Sequence, residues 1–305
     1  MEKINSCCAV IVTYNRKNLL EQCLRALLAQ TLTLAEIIII DNAGTDGSYE
    51  HLDKCGLIRA PVRYLRQSIN SGGAGGFHLG VKAALEGGCD YFWLMDDDGL
   101  PADDCLETLY QNRHKADYIG PVVTDPVQPS QLSFSLRRPG STVIMSTAAE
   151  LHQYAEDGVV YDVLAPFNGV FIPRRIVNQV GLPDKKYFIW GDEIDYTHRI
   201  IQQGFRQATI VSARFLHPRV KTVGKKMFFN LMQFNVTDSE IKLFCVCRSN
   251  SYIKKNYLGV HYSLLFSLKV IWFYLFTCPS MKKLKIAIPA LRAGWNGYFN
   301  NNFRL

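Results

Sequence analysis

Acidic side chains nearly vanish from the C-terminal end of this chain: residues 219–305 hold 2 Asp and Glu against 14 Lys and Arg. Residues 1–218 hold 25 against 20, so the net charge of +7 conceals a body at −5 and a tail at +12. The tail also carries 16 of the 36 aromatic residues. A basic, aromatic segment suits nucleic acid or a membrane surface. The apolar run Leu264 to Cys278, broken only by Lys269, argues for peripheral membrane contact and against nucleic acid. It is too short and too interrupted for a spanning helix, and a buried helix with basic flanks is the other reading.

Other absences are as informative. No low-complexity block or internal repeat is present, which excludes a disordered chain and a solenoid. With 305 residues, 48% of them hydrophobic, the chain can bury one large core, or one core and a smaller appendage. Met1–Asn5 leave no room for a secretory leader before the first apolar run, so a cytoplasmic chain with reduced thiols is expected. The nine cysteines lack a framework spacing: Cys7 and Cys8 lie in a strand-like run, Cys23 in a helix-like one, and Cys245 and Cys247 are too close for a zinc knuckle. The Walker spacing is missing, and the glycine turn Gly72–Gly76 has His78 where a dinucleotide fingerprint needs its third glycine.

What is present reads as alternating strand and helix. Cys7–Thr13 is a continuous apolar run, the pattern of a parallel strand buried on both faces. Leu19-Leu20, Cys23-Leu24 and Leu27-Leu28 then recur at helical spacing, and further strands are expected at 36–40, 62–65 and 91–95. Short connections between them predict an α/β fold, a doubly wound, mixed, mostly parallel sheet. Less regular strands and helices follow to about 218, and amphipathic helices are expected after 225. The chain is therefore divided into a nucleotide-sugar-binding and catalytic part, 1–225, and a helical, basic-aromatic, membrane-associating and acceptor part, 226–305.

In such a sheet, ligands collect beyond the carboxyl ends of the strands. Four polar clusters fall there: Thr13-Tyr14-Asn15, Asp41-Asn42, Asn70 to Gly73, and Asp96-Asp97-Asp98. Three consecutive carboxylates repel one another, so a bound cation or a solvated turn must offset them. A divalent ion held against a polyphosphate fits the strand-end position, with an acidic surface turn as the alternative. The glycine turn offers a backbone nest at a helix N-terminus, able to approach phosphate, or else a plain flexible turn.

Together Val10 to Arg16, Ile40-Asp41-Asn42, Asn70-x-Gly72-Gly73-Ala74-Gly75-Gly76, Asp96-Asp97-Asp98 and Trp190-Gly191-Asp192-Glu193-x-Asp195 resemble the inverting family-2 glycosyltransferases of the A fold, over residues 8 to about 218. The resemblance implies a UDP- or dTDP-sugar donor, with Thr13 and Asp41 at the base. Tyr14, Asn15, Arg16, Asn70, Gly73, Asp96, Asp97 and Trp190 complete the donor side, Trp190 as a sugar-stacking surface. It implies Mn²⁺ or Mg²⁺ at Asp96 and Asp98, with Asp97 supporting them and His217 completing the ligand set. The base that takes the acceptor proton falls on Glu193, with Asp192 orienting the acceptor and Asp195 capping the next helix. Family members usually carry Glu then Asp at this pair; here the order is reversed, so Asp192 is the other candidate base. The glycine turn, Met95 to Asp98 and Trp190 are similar to bacterial galactofuranosyltransferases, and rhamnosyltransferases share much of the pattern. The implied activity is transfer of galactofuranose from UDP-galactofuranose, or rhamnose from dTDP-rhamnose, to a lipid-linked glycan at the cytoplasmic face of the plasma membrane in surface polysaccharide synthesis. A non-catalytic sugar-nucleotide binder is the reading of another class, and assembly into oligomers is left open.

Overall fold

Apolar runs without a polar face form the centre of the sheet. The computed structural model describes residues 6–219, 224–227, 232–235 and 237–301; Met1–Asn5, on which the expectation about a leader rests, lie outside the described residues. Strand and helix alternate as β1 (Cys7–Thr13), α1 (Lys17–Leu28), β2 (Glu36–Asp41), α2 (Ser48–Lys54), β3 (Val62–Arg66), α3 (Gly72–Glu86) and β4 (Tyr91–Asp96). Then come β5 (Leu100–Pro101), α4 (Cys105–Gln111), β6 (Tyr118–Thr124), β7 (Gln131–Arg137), β8 (Ile144–Thr147) and α5 (Ala148–His152). They are followed by β9 (Val159–Tyr161), β10 (Val170–Pro173), α6 (Arg174–Val180), α7 (Asp192–Gln202) and β11 (Gln207–Leu216). The C-terminal stretch adds a hairpin of β12 (Gly224–Met227) and β13 (Met232–Asn235), then α8 (Glu240–Ile253), α9 (Val260–Trp272) and α10 (Met281–Trp295).

The main sheet runs β3-β2-β1-β4-β10-β6-β11-β5. The pairs β3–β2, β2–β1, β1–β4 and β6–β11 are parallel, and β10 runs against both of its neighbours, β4 and β6. This is the mixed, mostly parallel doubly wound sheet expected from the sequence. Order reverses at β1, which sits between β2 and β4, so the strand ends beside it form the usual ligand crevice. The core beneath is continuous: Ile11, Leu24, Ile39, Trp93 and Phe171 are fully buried together, and the Trp93 indole N–H is satisfied by the Gly169 carbonyl at 2.9 Å.

The chain divides into two compact units, Met1–Pro183 with Arg199–Val220, and Asp184–His198 with Lys221–Leu305. Residues 184–198 thus cluster with the C-terminal helices, a grouping that chain order conceals. Within the second unit α8, α9 and α10 pack through Leu243, Cys247, Val270, Phe273 and Leu291.

Thiol chemistry differs from expectation. Cys8 and Cys89 form a disulfide across 81 residues, while the other seven cysteines are free. β1 lies beside β4, and Cys89 falls just before β4, so pairing of the strands brings the two thiols together; no spacing rule reports this.

Candidate functional site

Register places the polar strand ends in one row: Thr13 lies opposite Asp41, Asp41 opposite Arg66, and Val12 opposite Asp96. Around that row the three consecutive carboxylates are separated by different partners. Asp97 is buried; its Oδ2 accepts from Thr13 Oγ1 at 2.7 Å and its Oδ1 from Arg16 Nη1 at 3.1 Å. Arg16 Nη1 also donates to Asp98 Oδ2 at 3.0 Å. Burial holds the Asp97 carboxyl above the usual range, because the Thr13 hydroxyl and the Arg16 charge offset only part of the desolvation. Asp98 goes the other way. Burial pushes it up, but the hydrogen bond and charge of His217, then Arg16, bring it below its ordinary value.

The remaining oxygen of Asp98 belongs to a cluster able to hold a metal ion. Asp98 Oδ1 is buried without a well-aligned hydrogen-bond donor, and faces His217 Nε2 at 3.1 Å. His217 itself is buried; Nδ1 donates to the Pro218 carbonyl at 2.8 Å, which leaves Nε2, facing Asp98, as the nitrogen available to a metal ion. Its backbone is clamped by Thr124 O, 3.0 Å from the His217 N–H, and by Ser133 Oγ, which donates to His217 O at 2.6 Å. Burial lowers the imidazole pKa, and Asp98 more than offsets this, leaving it raised. Ligand atoms of Asp96, Asp98 and His217 all lie within 4.8 Å of one another. Two carboxylates and one imidazole converging in this way fit a divalent cation of the Mn²⁺ or Mg²⁺ class.

The other donor-side candidates line the same edge. Asp41 is buried, with Oδ1 accepting the Gly44 N–H and Oδ2 the Tyr64 hydroxyl, each at 2.8 Å. Asn15, at φ +56°, accepts the Thr45 N–H at 2.6 Å, and Asn70 accepts the Gly72 N–H at 2.8 Å. Tyr14 and Arg16 are exposed at the surface beside them. The glycine turn needs correcting. It is not a loop ahead of a helix, because α3 already begins at Gly72. Gly76 and Gly80 serve packing: a Cβ on either would collide with Val12 or Val10 of β1. Gly73, at the helix start, instead faces open space, with nothing within 4 Å of the position a Cβ would take.

In the second unit, the acidic cluster follows a strained turn. Phe188, Trp190 and Gly191 have φ of +67°, +62° and +103°; two bulky residues in the left-handed region cost about 1–3 kcal/mol each, the kind of strain that collects at functional sites. Trp190 stands exposed on this turn. Glu193 is half-exposed and its Oε2 accepts the Gly191 N–H at 3.1 Å, while Asp192 is buried. Asp195 does not cap α7. It lies inside that helix, buried, with Oδ1 accepting the hydroxyls of Tyr187 at 2.8 Å and Tyr257 at 2.7 Å. Helix spacing turns it inward, where the tyrosines replace the backbone N–H that a cap would bind.

Sequence reasoning missed the residues that hold these groups. Tyr64 carries no motif; only its place on β3, opposite Ile39 and one strand from Asp41, selects it. Tyr187 and Tyr257 are 70 residues apart in the chain and meet only at Asp195.

Comparison with known proteins bears on the family and the fold. The model of Glycosyl transferase family 2 matches residues 8–161. The chain belongs to that family. Galactofuranosyltransferase GlfT1 of Mycolicibacterium smegmatis is 32% identical over 252 residues, spanning 81% of this chain and 82% of the relative. Two solved glycosyltransferase structures share the fold. One is GalNAc-T7 with UDP, GalNAc and Mn²⁺, at TM-score 0.56 and 15% identity, covering 89% of this chain and 57% of that one. The other is the mannosyltransferase PcManGT of Pyrobaculum calidifontis in complex with GDP-Man and Mn²⁺, at TM-score 0.56 and 14% identity, covering 96% of this chain and 75% of that one. The family-2 chain thus has the glycosyltransferase A fold.

Proposed function

We propose that this family-2 glycosyltransferase moves galactofuranose from UDP-galactofuranose, with inversion at C1, to a hydroxyl of a lipid-linked glycan in bacterial surface polysaccharide synthesis. The donor sugar is supported by the similarity to galactofuranosyltransferase GlfT1 across four-fifths of both chains. The observation that carries the nucleotide half is the convergence of Asp96, Asp98 and His217 at the strand ends beside Thr13 and Asp41.

The roles follow from the chemistry. Thr13 and Asp41 hold the uracil, and Tyr14, Asn15, Asn70 and Gly73 border the nucleotide and its phosphates. Asp96, Asp98 and His217 would hold the divalent cation, which would supply Lewis-acid stabilisation of the charge that builds on the β-phosphate. Arg16 and Thr13 keep Asp97 and Asp98 in place. Glu193 takes the acceptor hydroxyl proton as the new O–C1 bond forms; the C1–O bond to the β-phosphate breaks and UDP departs with its electron pair. Asp192 orients the acceptor and Trp190 presents its ring to the sugar.

Incubation with a panel of sugar nucleotides and Mn²⁺, read by mass spectrometry, tests the donor. Consumption of UDP-galactofuranose is expected; consumption of dTDP-rhamnose instead transfers the chain to rhamnosyl chemistry. In Glu193→Gln, turnover falls about 10²–10⁴-fold while nucleotide binding persists, the range of a lost general base. Undiminished turnover removes Glu193 from that role, and no turnover with any donor in the parent leaves a sugar-nucleotide binder.

A further inference from the structure

Helix α9 exposes a continuous apolar face within the C-terminal unit. Leu264, Leu265, Leu268 and Phe276 are 50–63% exposed, and Trp272 and Leu275 extend the stripe at 44% and 40%. Their spacing keeps them on one side of the helix and its last turn. Val260–Thr277 has a mean hydropathy of 1.3, yet only 22% of it is buried. The opposite side is packed: Val270, Phe273 and Tyr274 are buried against the unit's core, and the Ser263 hydroxyl donates to Ser251 O of α8 at 2.9 Å.

We propose that this face seats the chain in the outer few ångströms of an anionic lipid monolayer, with α9 lying in the plane of the surface rather than crossing it. Three observations select this occupant. The first is charge: the stripe belongs to a segment at +12, and the exposed Lys285 and Arg292 of the neighbouring helix α10 supply cations that match anionic headgroups. The second is length. An 18-residue helix of about 1.5 Å rise per residue falls slightly short of the roughly 30 Å of a hydrocarbon core, and Lys269 interrupts its middle. The third is packing. One side of α9 is committed to α8, whose Arg248 is completely buried in the same unit, so crossing a bilayer would carry that charged helix with it. A half-packed, half-exposed apolar helix with basic neighbours is the geometry of an interfacial segment. This inference does not depend on the donor sugar or on Glu193, and its success or failure leaves the proposed reaction untouched.

Sedimentation of the full chain with vesicles of phosphatidylcholine, with and without phosphatidylglycerol, tests it. Binding to the anionic vesicles is expected to fall at least tenfold in Leu265→Glu/Leu268→Glu, whose side chains point to solvent and leave the fold intact. In Lys285→Glu/Arg292→Glu, the preference for anionic over neutral vesicles is expected to disappear. Trp272 fluorescence is expected to be quenched by lipids brominated near the headgroup, and bound chain to be released by alkaline carbonate. No vesicle binding by the parent, or undiminished binding by the leucine double variant with its melting temperature unchanged, overturns the proposal. So does retention after carbonate, which indicates a spanning helix. A leucine variant that instead converts a dimer to a monomer, with no lipid-bound parent, assigns the face to a second copy of the chain.

Discussion

Replacing Gly191 with alanine adds two structural costs through one atom. Gly191 has φ +103°, beyond the region that L-residues occupy at low cost, and its neighbours Trp190 and Phe188 already stand at positive φ. Backbone strain at such a position is worth about 1–3 kcal/mol. The added Cβ would also stand 2.8 Å from Ser249 Cβ and 3.1 Å from Ile253 Cδ1, both on α8. Ser249 is buried, so the helix cannot simply turn that contact outward, and overpacking of this kind costs about 1–3 kcal/mol. The expected loss is about 2–5 kcal/mol, or a fall in melting temperature of roughly 5–15 °C. Part of the strain is relieved by moving the Trp190–Glu193 turn, and a displacement near 1 Å is enough to lower kcat about 100-fold. Thr13, Asp41, Asp96 and Asp98 belong to the other unit, so affinity for UDP with Mn²⁺ is expected to stay within about twofold. Differential scanning fluorimetry, calorimetric titration with UDP and a turnover assay read the three quantities separately. Gly73→Ala is the control, because its Cβ meets nothing within 4 Å and its melting temperature is expected to rise. An unchanged melting temperature and kcat in Gly191→Ala refutes the reasoning, and so does a loss of UDP affinity as large as the loss of turnover.

Three further outcomes are expected. Asp98→Asn is expected to weaken Mn²⁺ binding by more than about 100-fold by calorimetry, since even an outer-shell partner of a metal ligand is worth about 10–100-fold. In the metal-free chain the Asp98–His217 pair contributes to stability in a defined window. Asp98 is lowered, so its contribution is present above its unfolded pKa near 4 and is lost as pH falls through its folded value. His217 is raised, so its contribution is complete below about 6.5 and is lost as pH rises through its folded value. The melting temperature of the metal-free chain is therefore expected to decline above about pH 6.5, and His217→Asn to lack that decline. Asp195→Ala is expected to destabilise the chain by about 2–4 kcal/mol in denaturant titration, because the buried Tyr187 hydroxyl and the partly buried Tyr257 hydroxyl lose their shared carboxylate acceptor.

Much of the sheet was legible because its central strands are buried on both faces. Residues 7–13, 36–40 and 91–95 read directly as strands, within a residue of the observed bounds, and the polar residues at their ends read as a ligand edge. The edge strands β5, β7, β8 and the hairpin β12–β13 were not legible: they are short or half-exposed, so their apolar signal merges with that of loops. The glycine run misled for a different reason. Glycine next to a phosphate and glycine beneath a packed strand look the same in one dimension, and Gly76 and Gly80 proved to be the second kind.

The sequence alone determined the order and type of the central elements, the strand-end position of Thr13, Asp41 and Asp96, and the imbalance of charge that leaves the tail basic. These follow from local chemistry: runs of apolar residues, periodicity, and which residues stop a strand. Only the tertiary structure decided that Arg16 bridges Asp97 and Asp98, and that Asp195 is a buried acceptor rather than a cap. It also decided that residues 184–198 belong with the C-terminal helices and which side of α9 is left uncovered. Each of these depends on which surfaces pack together. Packing is set by the three-dimensional path of the chain, and residues distant in sequence share no local signal that they will meet.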